Sequence, residues 1–179
     1  MKELRKEKII SLLESRGFAQ SDYEAWSIDS PWANTTEIGF LKNNLIYFNR
    51  TICESDVIIE VHAEMSNLCE EDIDNILKKF EGQESYYVKF NKPKAKMTLS
   101  KFYAELNERG FWLDYSNRAK TKIDGFTLLV ETEPTGCWRV KLGNETLILE
   151  KTLEYDYLSL YNFRKVVKEL KHRAEIWKR

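Results

Sequence analysis

The chain is poor in the residues that break or bend a backbone, since its 179 residues include only 7 glycines and 3 prolines. Long irregular loops depend on such residues, so little material is left for them. The chain also lacks a long apolar run, and we therefore expect no helix that spans a bilayer and no membrane partner. No apolar stretch of signal-peptide length follows the basic residues at the N-terminus, which favours a cytoplasmic protein.

Cysteine and histidine are equally scarce. Cys53, Cys69 and Cys137 form no Cys-x-x-Cys pair, which argues against a disulfide framework or a zinc knuckle. We interpret them as buried, reduced thiols. The chain has 2 histidines and none of the common phosphate-binding, dinucleotide-binding or zinc-protease motifs. The sequence therefore predicts no cofactor and no metal, and it favours a protein that is not an enzyme.

Two segments of the chain resemble one another. Residues 9–18 and 102–111 both end an amphipathic helical pattern with Arg-Gly-Phe, in which glycine supplies a left-handed C-cap. The presumed turns at 41–46 and 142–148 are also similar. Two matching features in the same order indicate an internal duplication.

These patterns predict an α+β fold of two related α-β-β-β-α units, whose antiparallel sheets carry helices packed on one face. In the first unit Asn67 is the expected N-cap of the second helix, with Glu70 three residues later. Residues 85–90 look like one more strand. The expected helices are 3–16, 68–81, one that begins after Thr98 and 158–178, and the expected strands are 37–42, 45–50, 56–64, 125–132, 136–142 and 145–151.

The charge of the chain is divided between its two halves. Residues 1–93 carry 11 basic and 17 acidic side chains, and residues 94–179 carry 17 and 12. We therefore expect an acidic unit over 1–91, a linker over 92–97 and a basic unit over 98–179, which can pack as one body. Opposite charges on the two halves favour attraction between units, between copies, or toward a charged partner.

One predicted strand carries an unusual polar row. Alternation along residues 56–64 places Glu60, His62 and Glu64 on one face and apolar side chains on the other. Two carboxylates beside an imidazole could hold a divalent metal or tune the histidine as a base. The alternative is the wet face of a half-exposed antiparallel sheet.

Two regions are candidates for a partner surface. Residues 18–36 show no clear period and contain Trp26, Trp32 and Asp29, which is typical of a functional loop with aromatic anchors. The alternative for these aromatic residues is the core. The last helix carries a basic face that can bind phosphates or an acidic protein surface, or can simply be solvated. Its candidate contact residues are Lys165, Lys168, Lys171 and Arg173.

Three classes of function follow. The first, which the missing motifs favour, is a non-enzymatic protein that binds and occludes a protein partner. Inhibitors of this type, such as toxin-immunity or phage anti-defence (anti-CRISPR-like) proteins, tend to be small and aromatic-rich. The second is a nucleic-acid-binding protein that uses the basic C-terminal half. The third is a metal-dependent hydrolase or nuclease that uses Glu60, His62 and Glu64.

Overall fold

A computed structural model of the protein describes residues 6–84, 86–114 and 117–179. The chain divides into two compact units, residues 1–85 with 145–147 and residues 86–144 with 148–179. No helix in the described part of the chain is both long and apolar enough to cross a membrane.

The first unit is a helix, a five-stranded antiparallel meander and a second helix. Its strands pair in chain order, from β1 with β2 to β4 with β5. Its elements are α1 (Lys6–Ser15), β1 (Ala19–Asp22), β2 (Ala25–Ser30), β3 (Asn34–Phe40), β4 (Leu45–Ile52), β5 (Val57–Glu64) and α2 (Glu70–Gln83).

Alternation along the strands separates the two faces of this meander. In β4 every second residue from Ile46 to Ile52 is buried, and the residues between them are half-exposed. The inner face meets the apolar sides of α1 and α2, where Leu13 and Ile73 have no exposed surface. Burial of these side chains is the main stabilising term of the unit. The polar positions of the strands are left on the outer face.

The second unit repeats this order of elements. Its strands also pair antiparallel in chain order, from β6 with β7 to β9 with β10. Phe102 stacks edge-on against Trp138 and Phe163, with ring centroids 5.8 and 6.0 Å away. Its elements are α3 (Leu99–Glu108), β6 (Trp112–Leu113), β7 (Arg118–Ile123), β8 (Phe126–Glu133), β9 (Cys137–Gly143), β10 (Leu147–Glu154) and α4 (Leu160–Lys178).

The predicted α+β class is confirmed, with helices packed on antiparallel sheet. The described residues form five strands in each unit, two more than the three that we predicted. The missed strands are β1, β2, β6 and β7. Of these, β1 and β2 lie within residues 18–36, which we predicted to be a loop. The predicted linker 92–97 lies in a stretch without helix or strand, and the internal duplication stays a prediction.

The predicted strand over 85–90 is wrong for its described residues 86–90, which form neither a strand nor a helix. The backbone carbonyls of Tyr86, Lys89 and Asn91 instead accept hydrogen bonds from three side chains of α4. These donors belong to Arg173, Lys165 and Asn162, so residues 86–91 run antiparallel along the helix.

Candidate functional site

The turn between β2 and β3 presents a large aromatic side chain to solvent. Trp32 is 82% exposed, although tryptophan is usually well buried. Its φ of 69° and the φ of 59° at Ala33 lie in the left-handed region, which L residues with a side chain rarely adopt. Two successive residues in this region require support from their surroundings.

That support comes from hydrogen bonds around the turn. The Ser30 hydroxyl donates to the carbonyl of Asn34 at 3.2 Å. The Asn34 side-chain oxygen accepts from the backbone N–H of Cys53 at 3.0 Å, and the Cys53 thiol donates to the carbonyl of Ala33 at 3.0 Å. The turn that carries Trp32 is therefore fixed by the segment after β4, and the indole is held outward.

A pocket of about 520 Å³ lies beside this turn, on the inner face of the first unit. We call it the Trp32 pocket. Its apolar wall consists of Phe18, Ile28, Leu77 and Phe80, and Trp32 forms part of its lining. The volume lies in the range of ligand sites, and it also matches a cleft for one or two side chains of a protein partner.

The pocket contains a buried arginine. Arg50 is 5% exposed and points inward from β4, opposite Thr36 of β3. It donates to the Thr36 hydroxyl at 2.7 Å and to the Ser30 hydroxyl at 2.9 Å, and it forms an ion pair with Glu84. Its Nε finds no acceptor among the described residues. Burial lowers the pKa of Arg50, although the guanidinium remains charged at any physiological pH.

Carboxylates surround the pocket. Asp29 and Glu81 are exposed lining residues with no ion-pair partner among the residues that the structure describes. Arg16, the other basic lining residue, is already bound to Asp74 at 2.7 Å and to Glu70 at 3.3 Å. The negative charge at the pocket therefore exceeds the positive charge.

The structure separates the residues predicted in segment 18–36. Asp29 and Trp32 both line the pocket. Trp26 lies instead in the core, 6% exposed, with its ring edge-on to Phe40 at 5.6 Å. Its side chain is therefore covered in this structure. The segment is also no loop, because β1, β2 and the turn Pro31–Ala33 occupy most of it.

The basic residues predicted on α4 have four different environments. Lys168 is exposed and has no ion-pair partner in the described chain. Lys171 binds Asp124 at 2.6 Å. Lys165 donates to the carbonyl of Lys89 and lies over the rings of Phe90 and Tyr161. Only part of the basic face is thus free for a partner.

Arg173 is not a surface residue. It has no exposed area and lies within an ionic cluster beneath residues 86–90. Glu169, also fully buried, binds Arg173 at 3.3 Å and Lys151 at 3.4 Å. The Arg173 guanidinium also donates to the carbonyl of Tyr86 at 2.7 Å. Burial lowers the pKa of Arg173.

The polar row on β5 has the predicted alternation. Glu60 and His62 are half-exposed, while the intervening Val61 is buried. The His62 ring nitrogen lies 2.5 Å from a Glu60 oxygen, but Glu64 turns away and accepts from the side chain of Asn67 at 3.2 Å. The described residues contain no group of three metal-ligating side chains, here or elsewhere.

Tyr47 of β4 lies opposite His62 on this outer face. Its hydroxyl donates to Glu37 at 2.8 Å. Burial, followed by the hydrogen bond to Glu37, raises the pKa of Tyr47, so the phenol stays protonated at physiological pH. The row is thus a set of paired polar groups across neighbouring strands.

Sequence reasoning missed Arg50, Glu81 and Glu84. The alternation of apolar residues along β4 did contain a signal for Arg50. Arg50 occupies an inward position of this strand, in series with Ile46, Phe48 and Ile52. A charged residue at an inward position needs a buried partner, and here the end of α2 supplies one. The two glutamates gave no signal, since their positions depend on how α2 packs.

The geometry of the Trp32 pocket suits binding. It combines an apolar wall with an exposed tryptophan, a residue type enriched among the hot spots of protein interfaces. Two of its carboxylates form no ion pair among the described residues. Comparison with known proteins found no matching family, no similar curated protein and no similar solved structure.

Proposed function

We propose that the chain is a non-enzymatic binding protein that occludes a protein partner, in the manner of an inhibitor, through the Trp32 pocket. The observation that carries the proposal is Trp32 itself, 82% exposed on a braced left-handed turn beside the pocket. Tryptophan is the residue most enriched among the hot spots of protein interfaces. A rigid turn also reduces the entropy that the side chain loses on binding. We expect this activity in the cytoplasm.

The test is a pull-down from native lysate, with and without nuclease, read by mass spectrometry. We expect the wild-type protein to retain one protein partner after nuclease treatment, and the Trp32→Ala variant to lose it. The loss of a central aromatic anchor costs about 2 kcal/mol or more, which is at least about thirtyfold in affinity.

The chain offers a matched control. Tyr23, in the turn between β1 and β2, is also 82% exposed. The Tyr23→Ala variant should retain the partner, and all three proteins should melt at similar temperatures because neither aromatic side chain is buried. A partner that Trp32→Ala retains as well as the wild type does would refute the proposal.

A second candidate is nucleic-acid binding by the basic half. One observation favours it: Arg164 and Lys168 are exposed, have no ion-pair partner among the described residues and lie close along α4 to Tyr161, which is 65% exposed. Bases stack on such aromatic side chains while lysine and arginine neutralise the phosphates. Recovery of nucleic acid in the same pull-down would support this candidate.

A further inference from the structure

We infer that the occupant of the Trp32 pocket is a basic side chain of the partner, a lysine or an arginine flanked by apolar residues. This inference rests on the proposed function and specifies its chemistry. The lining holds two arginines, but both are already engaged by carboxylates of this chain. Nε of Arg50 and Nη1 of Arg16 are buried and find no acceptor among the described residues. The exposed lining groups without an ion-pair partner in the described chain are acidic and aromatic.

The acidic groups are Asp29 and Glu81. Within the described residues, Asp29 accepts a hydrogen bond from the Thr35 hydroxyl at 2.9 Å and forms no ion pair. Glu81 forms no ion pair there either, although its charge partly offsets the burial that lowers the pKa of the nearby Arg50. The charged lining residues are three carboxylates, those of Asp29, Glu81 and Glu84, and two guanidiniums, so their net charge attracts a cation and repels a carboxylate. Charge complementarity therefore selects a basic residue of the partner.

The shape of the pocket supports the same occupant. Lysine and arginine have long aliphatic stems below a charged head, and such side chains pack their stems against apolar surfaces. Phe18, Ile28 and Leu77 offer this surface, while the carboxylates lie among the same lining residues. The exposed Trp32 ring can also attract a cation over its face. Apolar residues next to the basic one would cover the indole.

The first experiment uses three blocked peptides, Leu-Arg-Leu, Leu-citrulline-Leu and Leu-Glu-Leu, titrated into the full-length labelled protein. Citrulline has nearly the shape of arginine without its charge, so this pair isolates the cation. We expect the arginine peptide to shift the NMR signals of the Trp32 indole and of Thr36, with a Kd of about 1 mM, as suits a single anchor. The citrulline peptide should bind at least about fivefold more weakly, and the glutamate peptide more weakly still.

Variants identify the groups that are responsible. The double variant Asp29→Asn, Glu81→Gln should bind the arginine and citrulline peptides equally well. The control is Glu54→Gln, which removes an exposed carboxylate of the same unit that does not line the pocket. It should keep the preference for arginine, and melting temperatures will confirm that both variants are folded.

Several outcomes overturn the inference. The inference is wrong if the glutamate peptide binds as tightly as the arginine peptide. It is also wrong if the arginine peptide shifts only NMR signals outside the pocket, or if no peptide shifts any signal. A wild-type dimer that the double variant dissociates would make a second copy the occupant, which also overturns it.

The inference and the proposed function can fail separately. If no peptide binds but capture of the partner still depends on Trp32, the function stands and the chemistry of the occupant is wrong. If the arginine peptide binds as expected but no protein partner depends on Trp32, the pocket chemistry stands and the occluding function is wrong.

Discussion

At the scale of single residues, Trp32 is placed against its own conformational preference. A side chain in the left-handed region costs about 1–2 kcal/mol, and glycine adopts this region without that cost. Since the indole is 82% exposed, its burial compensates little of this conformational cost. Such a residue is more easily explained by binding than by stability.

A stability measurement tests this interpretation of Trp32. The Trp32→Gly variant removes the strain and little buried surface, while glycine adds some entropy to the unfolded chain. We expect its free energy of unfolding, from urea denaturation, to be unchanged or higher by up to about 1 kcal/mol. The same variant should lose the partner. A loss of stability greater than about 1 kcal/mol would show that Trp32 is a structural residue instead.

At the scale of elements, each unit pairs a buried cation of a strand with a carboxylate in or just after its last helix. Glu84, just after α2, binds Arg50 of β4 in the first unit. In the second unit Glu169 of α4 binds Lys151 of β10. The surroundings of these pairs differ, because Arg50 lines an open pocket while the ring of Phe90 lies 4.7 Å from the Lys151 ammonium. Because of this difference, we propose the binding site in the first unit.

The buried cluster of the second unit predicts an order of stabilities. Glu169 faces two cations, so the Glu169→Leu variant leaves both without their carboxylate and should lose about 3–5 kcal/mol of unfolding free energy. The Arg173→Met variant leaves the pair of Lys151 and Glu169 intact and should lose clearly less. Urea denaturation measures both, and the exposed Lys168→Met is a control that should stay within about 0.5 kcal/mol of the wild type. The reverse order would show that Arg173 matters more than Glu169.

The helix ends show what local sequence can predict. Gly17 and Gly110 both have the expected left-handed φ, at 88° and 86°, and the Thr98 side chain accepts from the N–H of Lys101 as a cap should. The predicted cap at Asn67 was wrong, because residues 65–67 form their own short turn and α2 begins after Cys69. There Asp72 accepts from the Cys69 N–H at 2.8 Å, and hydrogen bonds from Cys69 lower the pKa of Asp72.

The candidate site could be predicted from the sequence only in part, because most of it depends on tertiary packing and not on local sequence. Asp29 and Trp32 could be selected from sequence because a tryptophan beside polar turn residues is unusual. The pocket itself joins the segment after α1 with β2, β3, β4 and α2, which are up to about 70 residues apart in sequence, and only tertiary packing brings these parts together. The same packing decided that Trp26 and Arg173 are buried, which residue type alone does not determine.

At the scale of the whole molecule, the near-zero net charge of −1 combines an acidic half and a basic half. The proposed function uses the acidic half, and so it makes a definite prediction for the basic one. The double variant Arg164→Glu, Lys168→Glu changes two exposed residues that have no ion-pair partner in the described chain. Because they lie outside the Trp32 pocket, the variant should capture the protein partner as the wild type does, with stability within about 0.5 kcal/mol.

A binding assay with single-stranded DNA completes this comparison. With the wild-type protein, fluorescence anisotropy at physiological salt should show no binding tighter than about 100 µM, the weak end of non-specific affinity. If the basic half is the functional surface, binding will instead be tighter and will weaken steeply with salt, by a slope of about −0.7 for each phosphate contact on a single strand. If the charge-reversed variant loses that binding and the Trp32→Ala variant still captures the protein partner fully, the functional surface is α4 and not the Trp32 pocket.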